Sequence, residues 1–185
     1  GAVHKTQNAS TTVHPLSNIE LSNVSDIAST HSAFAAIKKD GSVVTWGHKD
    51  FGGDSEAVKA QLNSGVIKLF ATDVAFAALK QDGSVVTWGN KDGGGNTGRH
   101  QESLEAGVTN IFATSHAFAA LKENGSVVAW GGSNHGASHG NGFDKNLNDL
   151  RNVKNIFSTN TAFNNGIRSI SSSLCALICI RLILS

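Results

Sequence analysis

One stretch of this chain is written three times. Ala33-Phe34-Ala35-Ala36-Ile37-Lys38-Lys39-Asp40-Gly41-Ser42-Val43-Val44-Thr45-Trp46-Gly47 returns with few changes as Ala75 to Gly89 and again as Ala117 to Gly131, so that Trp46, Trp88 and Trp130 are spaced 42 residues apart. A fixed period of roughly 20–50 residues is the signature of stacked units, none of which can bury its apolar faces alone. The repeat is therefore a scaffold first, and any chemistry has to be sought where the copies differ.

Each copy opens on an apolar run: Val66 to Phe70, Val108 to Phe112 and Val153 to Phe157, with Val24 to Ala28 as a weaker version. These predict strands of about five residues. A small polar link follows (Ala71-Thr72-Asp73 in the second copy), then a strand over Phe76 to Lys80, then Asp82-Gly83 and a strand over Ser84 to Trp88. Asp40-Gly41, Asp82-Gly83 and Asn124-Gly125 predict tight hairpin turns built on positive φ angles. The strands do not alternate cleanly, because Phe76-Ala77-Ala78-Leu79 and Val85-Val86 offer apolar side chains to both faces. Such strands belong in sheets covered on both sides. Each buried Phe then contributes roughly 1.5–3 kcal/mol. Between repeats, Asp54 to Leu62 has a capping residue, helix formers and Gly65 as a stop, predicting one or two helical turns.

The bulk numbers narrow the function classes. With 185 residues the chain is one domain or part of one. A net charge of +1 leaves no electrostatic footprint for nucleic acid or an anionic membrane, and neither partner is expected. Residues 1–23 hold no basic segment followed by an apolar run, and the sequence has no Met, which suggests a processed or excerpted piece. Cys175 and Cys179 are the only cysteines and lie outside the repeats, so disulfides do not hold the repeat body. The expected organisation is a degenerate repeat or linker over 1–23, repeats over 24–65, 66–107 and 108–152, a partial repeat over 153–163, and an out-of-pattern apolar tail over 164–185.

The order aliphatic-Lys-x-Asp-Gly-Ser-Val-Val-x-Trp-Gly, as in Leu79 to Gly89, resembles the repeat of the regulator-of-chromosome-condensation family. It is also similar to the shorter unit of the propeller-type β-lactamase inhibitory proteins. The resemblance covers roughly residues 24–163. It implies an all-β fold, a partial β-propeller of about three antiparallel blades of 42 residues with short helical turns in the connecting loops. It does not carry an activity over. After Trp-Gly the family continues asparagine-x-x-glycine-glutamine-leucine-glycine, and here only Gly52, Gly94 and Gly136 keep step. The histidine that family repeats often place before a strand is replaced by Ala33, Ala75 and Ala117, and nothing matches the nucleotide-exchange surface of the founding member. Propellers close with about four to eight blades. Three units therefore point to a longer natural protein, or to self-association through open blade edges.

Beyond Phe163 the pattern breaks, and Leu174 to Leu184 is apolar apart from Arg181. A shifted reading frame, a membrane anchor and a substitute cap are the three readings. Eleven residues are too few to span a bilayer, which needs about 20.

Few residues suggest catalysis or a cofactor. Gly93-Gly94-Gly95-Asn96-Thr97-Gly98 fits G-x-G-x-x-G in form, but no βαβ unit surrounds it. His135 and His139 are set among glycines with no third ligand. No Ser/His/Asp, Cys/His or paired-carboxylate set recurs, so neither cofactor nor metal is expected, and the chain is read as not an enzyme. What remains is loop variation on a constant frame. His48, Lys49, Asp50 and Phe51 in the first copy, Asn90, Lys91 and Asp92 in the second, and Asn134 and His135 in the third occupy the loop after Trp-Gly. Phe51 reads either as an aromatic contact anchor or as a ring folded back on its own blade. The function expected is a non-catalytic scaffold that presents these loops to a protein partner. The alternatives are a secreted enzyme inhibitor using the same loops, or the substrate-recruiting domain of a larger protein resembling a ubiquitin ligase.

Overall fold

The computed structural model describes residues 21–132, 152–153, 156–158 and 178–179. Nine strands form three sheets of the same design. They are β1 (Val24–Ser29), β2 (Ala33–Lys38) and β3 (Val43–Gly47); β4 (Val66–Ala71), β5 (Ala75–Lys80) and β6 (Val85–Gly89); and β7 (Val108–Ala113), β8 (Ala117–Lys122) and β9 (Val127–Gly131). Each sheet is an antiparallel meander with the middle strand of the sequence in the middle of the sheet. A further short ladder joins β10 (Phe157–Ser158) to β11 (Ile178–Cys179). The rest of the apolar tail lies outside the described residues.

The pleat sorts the repeat into two unlike apolar faces. In the second sheet Leu69, Phe76, Ala78, Val86 and Trp88 point back toward the first sheet, where they meet Ala33, Ala35, Ile37 and Leu62. Its other face carries Ala75, Ala77, Leu79 and Val85, which receive Ile111, Phe118, Ala120, Val128 and Trp130 of the third. Bulky rings on each rear face thus lie on the flat alanine floor of the sheet before. Small residues there let two backbones approach closely, and the rings fill what is left. Phe76 stacks on Trp88 with centroids 5.3 Å apart, and Phe118 on Trp130 at 5.4 Å. Both strands of each pair place these rings directly opposite one another, which fixes their contact.

Polar bonds tie consecutive sheets at both ends. At one end the Trp88 indole N–H donates to the Gly52 carbonyl at 3.0 Å, and Trp130 repeats this with Gly94 at 3.1 Å. Gly52 has φ +93°, and a Cβ there would lie 2.5 Å from the Phe76 ring. Only glycine allows both that backbone and that approach, which explains why this glycine keeps step in the copies. At the other end Val66 N–H donates to Gly41 O and Val108 N–H to Gly83 O, both at 3.0 Å.

The hairpin turns differ from the sequence expectation in type. Of each Asp-Gly or Asn-Gly pair, only Gly41, Gly83 and Gly125 have positive φ. The loops are three residues long, closed by Gly83 N–H to Lys80 O and Lys80 N–H to Ser84 O. This is a type I turn followed by one left-handed residue. The reason is the serine after the glycine. Asp82 Oδ1 accepts from both Ser84 N–H (3.0 Å) and Ser84 Oγ (2.6 Å), and Asp40 and Asn124 do the same with Ser42 and Ser126. The expected helix over 54–62 forms as a 3₁₀ turn at Glu56–Val58 running into α1 (Lys59–Leu62), with Asp54 Oδ1 accepting from Glu56 N–H. Its purpose is to deliver Leu62 to the gap between sheets, as Leu104 is delivered in the next copy.

Two outcomes follow from these contacts. Trp88→Phe leaves the buried Gly52 carbonyl without its donor and is expected to cost about 2–3 kcal/mol in urea unfolding, whereas Trp46→Phe costs less than about 1. Asp82 is held below its ordinary value, first by the Ser84 hydroxyl and then by the Ser84 N–H. The charged form therefore adds stability that is present above the unfolded value and is lost as pH falls through the folded one. Ser84→Ala should move the Asp82 titration, followed by NMR, back up toward the ordinary carboxylate range.

Candidate functional site

The loops after Trp-Gly share one backbone. His48 and Asn90 precede a single 3₁₀ turn and accept a hydrogen bond from the N–H two residues on, His48 Nδ1 from Asp50 and Asn90 Oδ1 from Asp92. Each turn ends in a left-handed glycine, and the next residue's N–H returns to the first: Gly53 to His48 O at 3.0 Å, Gly95 to Asn90 O at 2.8 Å. A threonine from the link before the middle strand braces the loop from below. Thr30 Oγ1 donates to Phe51 O and Thr72 Oγ1 to Gly93 O, both at 3.0 Å. The Gly-rich stretch 93–98 therefore spends its first amides on its own turn. Gly93 N–H donates to Asn90 O and Gly94 N–H to Lys91 O.

The same threonine link brings in residues that sequence reasoning missed. His31 N–H donates to Asp73 O at 2.8 Å, and Asp73 N–H to Ser115 O at 2.9 Å. His31, Asp73 and Ser115 thus stand in a row across three sheets, beside the Trp-Gly loops and at the same end of the sheets. Gly132 N–H donates to Asp92 O at 2.7 Å, so the loops also touch from sheet to sheet. The exposed side chains on this end are His31, Ser32, Lys49, Asp50, Asp73, Asn90, Lys91 and Asp92. Acid and base alternate, so the face has no dominant sign. The signal for the missed positions was present: a constant Thr (Thr30, Thr72, Thr114) followed by residues that differ in every copy.

The structure brings together His48, Lys49, Asp50, Phe51, Asn90, Lys91 and Asp92. Asn134 and His135 lie outside the described residues. The Phe51 ring is half-buried against the core between the first and second sheets, edge-on to His48 with centroids 5.0 Å apart. Part of the loop variation is thus compensation in packing. A Cβ on Gly93 would lie 2.1 Å from Val74 Cγ2. In the first copy, Ser32 stands where Val74 does and Phe51 where Gly93 does. Gly93→Phe alone is accordingly expected to cost about 1–3 kcal/mol in urea unfolding, and adding Val74→Ser to recover most of it.

Among the described residues, no group of three or more His, Cys, Asp or Glu side chains is placed to hold a metal ion. Among them, too, no helix is long and apolar enough to cross a membrane.

No protein-family model matches the chain, and no curated protein matches it. Solved structures do. Prp20p from Saccharomyces cerevisiae, described with its binding to Gsp1p and histones, matches with a TM-score of 0.53 and 20% identity over 77% of this chain and 42% of that one. Yeast RCC1 (Prp20) in its complex with Kap60 gives a TM-score of 0.52 and 21% identity over 77% and 41%. The ectodomain of the receptor kinase CR4 from Physcomitrella patens gives a TM-score of 0.43 and 16% identity over 58% and 30%. The likeness to Prp20 shows the fold: three blades of a partial β-propeller built from RCC1-like repeats. The chain spans about two fifths of the length of the Prp20 chains it matches.

Proposed function

We propose that this chain is a non-catalytic scaffold that binds a protein partner through the loop end of its blades. One observation carries the reading. Adjacent blades hold the same loop backbone by the same bonds, yet crown it with different side chains, exposed His31 beside exposed Asp73 and half-buried His48 beside exposed Asn90. Loops held this firmly lose little freedom on binding, which lowers the cost of association. Exposed charges of both signs, Lys49, Asp50, Asp73, Lys91 and Asp92, suit a polar protein surface better than a phosphate backbone, which would select for one sign. The Prp20 structures support the reading by analogy, since a propeller of the same repeat type binds Gsp1p, histones and Kap60.

The test is affinity capture with the full chain on beads. Replacing His31, Lys49, Asp50, Lys91 and Asp92 together by Ala should abolish retention of the partner while leaving the melting temperature within about 2–4 °C of the parent. Replacing Lys39, Gln81 and Glu123, at the hairpin end, should leave retention unchanged. Equal retention by both variants would place the contact elsewhere.

A further inference from the structure

The hairpin turns of the three blades share one geometry but not one chemistry. Asp40-Gly41-Ser42 and Asp82-Gly83-Ser84 are followed in the third blade by Asn124-Gly125-Ser126. The carboxamide nevertheless makes the bonds of the carboxylates. Asn124 Oδ1 accepts from Ser126 N–H at 3.0 Å and from Ser126 Oγ at 2.6 Å, and Asp82 Oδ1 has the same two donors at the same distances. Asn124 is exposed, and no described residue bonds its Nδ2.

This arrangement bears on a reaction open to an asparagine followed by glycine. The nitrogen of the next residue can attack the side-chain carbonyl carbon, because glycine has no Cβ to hinder the approach. During the attack, negative charge collects on Oδ1. Here that oxygen already faces two donors, placed as the donors of an oxyanion hole are. The leaving nitrogen faces water. One bond opposes the step: Gly125 N–H donates to Lys122 O at 2.9 Å and has to open first. It lies at a hairpin tip on the surface, where local opening costs little.

We propose that Asn124 is a site of intramolecular deamidation, which converts the third hairpin to the Asp-Gly-Ser form of the other two. A base in solvent removes the Gly125 amide proton, the nitrogen bonds to Asn124 Cγ, and the Cγ–Nδ2 bond breaks. Ammonia leaves with a proton from water. A second water then opens the cyclic imide. Attack at Cγ breaks the new bond and leaves aspartate, whereas attack at the main-chain carbon leaves the isomer linked through its side chain. The frame suits the first product. Asp40 and Asp82 already occupy the same turn, and an ionised oxygen strengthens the two bonds that Ser126 gives. The isomer would lengthen the main chain just before Gly125, whose carbonyl holds Val153 N–H at 3.1 Å. The third blade thereby gains a negative charge at its hairpin end, away from the candidate loops.

Incubation of the full chain in mildly alkaline buffer, followed by tandem mass spectrometry, tests this. Fragment ions have to place the exchange of amide for acid at Asn124, apart from Asn141, which also precedes a glycine. In the folded chain Asn124 should convert, and Ser126→Ala should slow it about three- to tenfold, the effect of one lost hydrogen bond. In denaturing urea the two chains should convert at the same rate, since the turn that aims the hydroxyl is gone. Asn124→Asp, the finished product, should melt no lower than the parent. An unconverted Asn124 in the folded chain would overturn the proposal. So would a Ser126→Ala effect that is absent in the folded chain, or one that persists in urea. A lower melting temperature for Asn124→Asp would overturn the fit of the product to the turn.

Discussion

A single hydrogen bond organises this molecule: an indole N–H of one blade given to a glycine carbonyl of the blade before. The bond demands glycine at the acceptor, because the backbone is left-handed there and the next blade's phenylalanine ring lies where a Cβ would go. It demands tryptophan at the donor, because only that ring joins a large apolar body to one N–H at its rim. It also sets the offset between sheets. Apolar faces alone would allow one sheet to slide along another, since burial has no direction. A buried carbonyl that must meet its donor removes that freedom.

Strands and hairpins were legible because their causes are local. The apolar runs, the Asp-Gly pairs and the closing Trp-Gly placed nearly every strand within a residue of its observed limits. The turn type was not read, although Ser42, Ser84 and Ser126 announced it: the hydroxyl and N–H after the glycine hold the aspartate or asparagine oxygen and favour the three-residue loop. The reason for the repeated Gly52 and Gly94 was hidden for a different cause. Their partner ring lies in the next repeat, 24 residues further on in each case, and no local pattern reports it.

The candidate site was half visible. Reading difference against constancy found the Trp-Gly loops, yet missed His31, Asp73 and Ser115, which vary next to a constant threonine. It also gave Phe51 a choice that only packing could resolve. The ring is half-buried against the core between the first two sheets, and Ser32 is small where the next blade has Val74. Side-chain difference between repeats has two sources, recognition and compensation, and a neighbour in space separates them.

The tryptophan bonds also give the molecule an order of assembly. Each donor reaches back to an acceptor 36 residues earlier in the chain, in the blade immediately before. A growing polypeptide can therefore lock each blade as soon as that blade's own last strand emerges, against a neighbour already made. Chains that fold in pieces expose less sticky surface while they wait for synthesis to finish. With every such bond running back to the preceding unit, the ribosome supplies the units in the order in which these contacts use them.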